Sequence, residues 1–183
     1  SLSWLWNFVH TVFNGCFVWG ESLMAQTYDA IASYTFGSAA SSYTFSSLPA
    51  SWTDLVIVTN GSFATADGLN IQFNSDTTNN YSSTYVGGDG TSPISGRNSN
   101  TSSMSMGYMN TSQSVVIINV FNYANATTYK TALSRDNSTT YVLSRVGLWR
   151  KTPEAITSIK LFGANGYNFN SGTTMTLYGI KAA

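Results

Sequence analysis

The chain has 183 residues, enough for one domain with a sizeable core and short for two. Charged side chains make up only 9% of it and aromatics 14%, and Asn, Ser and Thr carry the polarity, so the chain can bury a core and does not read as disordered. A formal net charge of zero leaves no global field to draw nucleic acid or an anionic membrane, and a single Cys, Cys16, excludes an intrachain disulfide framework.

The zero hides an uneven distribution. Every basic residue lies at or beyond Arg97, whereas six of the eight acids (Glu21, Asp29, Asp54, Asp67, Asp76, Asp89) precede it. The first part sums to −6, and the rest, eight bases less Asp136 and Glu154, to +6. In a sheet protein the two parts interleave, so the expectation is charge pairing across strands and not a bipolar surface.

The chain opens on an apolar run, "SLSWLWNFVHTVFNGCFVWG", which holds the sole His and the sole Cys and no charged side chain. As a signal peptide it lacks a basic n-region and a small-residue cleavage site. As a membrane span it has just the required length of about 20 residues. Asn7, His10, Asn14, Gly15 and Gly20 interrupt it, however, and no Lys or Arg flanks it. As a core helix, Trp4, Phe8, Val12 and Trp19 do not sustain one clean face. The remaining reading is a leader outside the natural protein, since the codons of Gly20-Glu21 can spell a ribosome-binding sequence ahead of Met24. The expectation is therefore a leader over 1–23 and one domain over 24–183, free of His and Cys.

From Tyr28 onward short strand-like runs alternate with turn residues. "YDAIASYTF" and "YTFSSLPAS" come first, and "DLVIVTNG" (54–61) is a continuous apolar run ending on the turn signal Asn60-Gly61. "DGLNIQFNS" alternates, with Leu69, Ile71 and Phe73 facing one way. The stretch 75–103 reads as a long polar loop with at most a short strand near Tyr81–Val86. "SMSMGYMN" puts Met104, Met106 and Tyr108 on one face, and "SVVIINVFNY" is apolar on both faces, as a central strand is. In "TTYVLSRVGLWR", Val142, Val146 and Leu148 oppose Tyr141, Leu143, Arg145 and Trp149. "AITSIKLFG" and "TTMTLYGIK" close the chain. In the turn between them Phe169 is expected to pack beneath, with Gly172 at positive φ. Helical period is nowhere sustained after Met24, so the expected fold is all-β: an antiparallel β-sandwich of jelly-roll type with about ten strands.

Two segments carry a resemblance. "MAQTYDAIASYTFGSAASSYTFSSLPASWTDLVIV" (24–58) resembles the opening of small tailed-phage virion proteins, and "AITSIKLFGANGYNFNSGTTMTLYGIKAA" (155–183) resembles their closing pattern. The departures are Trp52 where Tyr is more usual and Leu48 where Ile is. Together the segments cover less than half of the chain, and the middle matches neither. The resemblance implies a virion structural protein of tail-fibre or head-fibre type, located on the virion, with other virion proteins as partners and a homotrimeric assembly. It also fits a start at Met24, since such proteins often open on "MAQ" or a similar sequence.

Chemistry in the domain is sparse. Without His and Cys it lacks the usual general base, the commonest zinc ligand and a thiolate nucleophile. The remaining carboxylates sit mostly at turns (Asp67-Gly68, Asp89-Gly90, Asp136-Asn137), where turn chemistry explains them, so no enzyme, metal or cofactor is expected. Asp76, Asn79, Asn80 and Asp89 offer oxygens to Ca²⁺, but their spacing matches no EF-hand and solvated loop polarity explains them. "VGGDGTSP" lacks the Lys and the helix of a phosphate loop. Six Asn-x-Ser/Thr sequons, from Asn60 to Asn137, follow from composition.

Glycan binding suits the polar loops better, because a sugar ring has an apolar face and a hydroxyl rim that match tyrosines beside amides. The candidate ligand residues are Tyr81, Tyr85, Asp89, Tyr108, Tyr123 and Tyr129, with Tyr167 a further exposed-loop tyrosine. Three alternatives stand beside a glycan-binding virion domain: a capsid or tail component without ligand, a carbohydrate-active enzyme or its binding module, and a membrane-anchored adhesin.

Overall fold

A computed structural model of the protein describes residues 27–181, so the leader expected over 1–23 lies outside the described residues. Within them the fold is all-β. The strands in chain order are β1 (Tyr28–Thr35), β2 (Ser42–Phe45), β3 (Asp54–Gly61), β4 (Asp67–Phe73), β5 (Tyr81–Gly88) and β6 (Pro93–Thr101). They continue with β7 (Met104–Met109), β8 (Ser114–Val120), β9 (Lys130–Asn137), β10 (Val142–Trp149), β11 (Ile159–Gly163) and β12 (Thr174–Ile180). Twelve strands thus stand where about ten were expected.

They form two antiparallel sheets, an eight-stranded one ordered β1-β12-β3-β8-β9-β10-β5-β6 and a four-stranded one ordered β2-β11-β4-β7. The core lies between them, filled from both sides by residues such as Leu55, Ile57, Val116, Ile118, Leu69, Ile71, Met104 and Leu161. β8, apolar on both faces, lies between β3 and β9 inside the large sheet, as its composition requires. In β12, Met175 and Leu177 are buried while Thr176 and Tyr178 face outward. Phe169 is fully buried, stacked on Phe36 and Phe63 at centroid distances of 4.9 and 4.4 Å, and Gly172 beside it has φ 84°.

Two expectations are corrected. The polar stretch 75–103 is no loop. It contains the long hairpin β5–β6, paired from Gly88↔Pro93 to Tyr81↔Thr101. β6 is an edge strand with little over it, so no apolar alternation was needed to form it. β3 ends at Asn60-Gly61, as the turn signal there implied, and the chain crosses to β4 in the other sheet. Finally, among the described residues the acids of the first part do not pair with the bases of the second. Buried Asp67 is bonded by the backbone and side-chain N–H of Asn165, and buried Asp76 by neutral donors including the Trp149 indole.

A bulge corrects the face assigned to Tyr108. Asn70 pairs with Ser105 but Leu69 pairs with Gly107, so Met106 is the extra residue. Such an insertion resets the alternation of everything after it. Met104, Met106 and Met109 are all fully buried, while Tyr108 turns to the opposite side with Ser105.

Candidate functional site: a trough beside an overhanging sheet

The two sheets differ in width, and the site follows from that mismatch. β7 is the edge of the small sheet and packs over β8, β9, β10 and β5, leaving the inward face of β6 uncovered. The register places Ser134, Arg145, Tyr85 and Gly96 in one row across β9, β10, β5 and β6. Beside the β7 edge the overhang becomes the floor of a trough.

One compartment, of ≈ 780 Å³, is lined by Tyr85, Ile94, Asn98, Tyr108, Tyr141, Leu143 and Arg145, among others. A second, of ≈ 470 Å³, is lined by Asn70, Asn79, Asn98, Thr101, Ser103 and Ser105, among others. Asn98 lines both, so the two are neighbours. The first compartment is aromatic and the second is built of amides and hydroxyls.

Each wall has a local cause. Tyr85 lies down across the neighbouring strand, where a Cβ on Gly96 would fall 2.4 Å from its hydroxyl oxygen, so glycine there is what lets the ring lie low. The Arg145 guanidinium sits over that ring, 5.2 Å from its centroid. Tyr108 and Tyr141 meet edge to face, 6.0 Å between centroids.

Beneath them Asp136 and Arg145 form a buried pair, Nε donating to Oδ1 at 3.4 Å, with side-chain exposures of only 2% and 7%. Arg145 Nη1 donates to Ser105 Oγ at 3.3 Å, and the Tyr108 backbone N–H donates to Asp136 Oδ2 at 2.9 Å. Burial pushes the Asp136 carboxyl above its usual range, against the opposing pull of Arg145 and of the Tyr108 N–H. The pair ties β9, β10 and β7 together at the base of the aromatic compartment.

Of the six expected ligand residues, the trough brings together two, Tyr85 and Tyr108. Tyr81 and Tyr123 are corrected to core residues, both fully buried. Tyr81 stacks on Trp149, and its hydroxyl accepts from the Phe73 N–H at 3.0 Å and donates to the Asp76 carbonyl at 3.1 Å. The Tyr123 hydroxyl donates to the Pro49 carbonyl. Asp89 caps the β5–β6 turn, accepting from the Thr91 and Ser92 N–H groups at 2.9 and 2.7 Å. Those bonds, Ser92 foremost, hold its carboxyl down near pKa 2. Tyr129 and Tyr167 are exposed at 59% and 43%, but neither lines the trough.

The Ca²⁺ grouping does not come together. Asp76 and Asp89 lie beyond opposite ends of β5, and no group of three or more His, Cys, Asp or Glu converges among the described residues. Sequence reasoning missed Tyr141, Asn98 and Arg145. The alternation of β10 held one signal: a charged Arg145 on the same face as Leu143 and Trp149 had to be paired or to line a cavity.

No protein-family model matches the chain, and none of the curated proteins searched matches it. Among the described residues no helix is long and apolar enough to cross a membrane.

Proposed function

We propose that the protein is a non-catalytic structural component of a tailed-phage virion, an exposed fibre-tip or decoration domain that holds host-surface glycan in the trough. The observation that carries this is the run of Tyr85, Tyr108 and Tyr141 leading into Asn98 and the Ser/Thr/Asn compartment. Aromatic faces next to amides and hydroxyls are the complement of a sugar ring. Hydrolysis of a glycosidic bond needs two carboxylates flanking it. This lining supplies rings, amides, hydroxyls and a guanidinium, chemistry that holds a ligand and leaves its bonds intact.

The phage part rests on how the two resembling segments fold together. The opening one supplies β1, β2 and the start of β3, the closing one β11 and β12. The pairings β1·β12·β3 and β2·β11 make them one contiguous half of the sandwich. The middle of the chain builds the other half and all but one residue, Ala164, of the trough's lining. A shared frame carrying a divergent binding half is what an attachment protein requires. We also read the nested pairing β1·β12, β2·β11, β3·β8 and β4·β7 as the jelly-roll pattern, with β5–β6 and β9–β10 as insertions that widen one sheet.

The homotrimer is proposed on the outer face of the large sheet. Leu133 pairs directly with Val146 there, beside Val142 and Val86, and their exposures run from 38% to 67%. Arg97 and Arg135 rim this apolar patch. Avidity across copies then makes weak single sites effective. The test is a glycan array probed with the assembled protein. Binding that is lost in Tyr85→Ala and Tyr108→Ala supports the reading, and no binding by a folded, assembled protein favours the purely structural role.

A further inference from the structure

The lining of the trough narrows the ligand class further, resting on the glycan-binding reading above. We infer that the trough takes an uncharged linear oligosaccharide, one ring against the tyrosines and the next among the amides and hydroxyls, in preference to a uronate or other acidic glycan.

Charge is the first ground. Arg145 is the one charged residue lining either compartment among the described residues, and Asp136 already offsets it within the same buried pair. Its Nε is committed to Asp136, its Nη1 to Ser105 and its face to Tyr85. An acidic sugar would have to be desolvated beside a cation that a buried carboxylate already neutralises. A hydroxyl pays no such penalty.

Hydrogen-bond polarity is the second ground. The amide compartment is walled by Asn79, Asn98, Thr101, Ser103 and Ser105, amide and hydroxyl groups that both donate and accept. Sugar hydroxyls donate, whereas an ionised carboxylate only accepts.

Length is the third ground. The two compartments differ in chemistry and adjoin at Asn98, so a single sugar engages one of them and a linear oligomer that passes Asn98 reaches both.

The experiment titrates the intact protein with neutral hexoses, their linear oligomers, and uronate oligomers of matched length, by calorimetry. The inference expects neutral oligomers to bind at least about tenfold more tightly than both the monosaccharides and the uronates, a tenfold step being about 1.4 kcal/mol. Asn79→Trp, an exposed position at the amide compartment, should erase the gain from length while thermal unfolding stays as in the parent protein. Uronate preference, or no gain with length, overturns the inference and leaves the glycan-binding reading standing. Failure of every saccharide to bind overturns both.

Discussion

Asp76 shows how much one buried side chain can hold. Its carboxylate accepts from the Thr78 N–H at 2.9 Å, from Asn80 Nδ2 at 3.0 Å and from the Trp149 indole at 2.7 Å. Burial alone would raise its pKa, but these bonds outweigh it and bring the value down to about 2. The sign of the linkage follows. A depressed folded pKa contributes stability that is present above the unfolded value and is lost as pH falls through about 2. Asp76→Ala strands the indole N–H in the core and should cost about 2–4 kcal/mol in urea unfolding at neutral pH. Acid titration should shrink that difference, because protonating Asp76 weakens the same bonds. Tyr81→Phe should cost about 1–2 kcal/mol and leave saccharide binding intact, since its hydroxyl bonds only to backbone in the core. The sequence did not separate Tyr81 from Tyr85. Both stand in a polar stretch, and tyrosine is at home buried with its hydroxyl satisfied or half-exposed on a ledge.

At the scale of elements, the apolar strands were legible and the polar hairpin was not. β3, β4, β8 and β12 bury one or both faces and therefore carry period-two or continuous apolar patterns. β5–β6 projects past the small sheet, so much of its inward face meets solvent and polar residues suffice. The bulge at Met106 was equally silent, because one inserted residue leaves composition unchanged while moving Tyr108 from the methionine face to the trough. Close approach between the sheets gives a prediction at this scale. A Cβ on Gly147 of β10 would stand 2.2 Å from Met104 Sδ of β7, so Gly147→Ala overpacks the seam beneath the trough. The expected cost is about 1–3 kcal/mol by chemical denaturation, the range for overfilling a packed core.

At the scale of the whole molecule, sandwich architecture could be read from strand count and turn spacing, but the trough could not. It exists because one sheet is twice as wide as the other, and sheet width depends on long-range pairing that no local pattern encodes. The outer face follows the same logic. Val86, Val142 and Val146 are strand residues by propensity whether water or a second copy covers them. If that face is the subunit contact, Val146→Asp should dissociate the assembly in sedimentation velocity. The monomer's own stability should change by less than about 0.5 kcal/mol, because Val146 is 56% exposed.

Which tyrosines meet the ligand decides whether the trough is the binding site. Titrating a neutral oligosaccharide into protein carrying ring-labelled tyrosine, followed by NMR, reads each ring separately. The expected result is movement of the Tyr85, Tyr108 and Tyr141 signals, with Tyr81 and Tyr123 unmoved. Movement confined to Tyr28, Tyr129 or Tyr167, or none at saturating saccharide, would contradict the trough as the binding site.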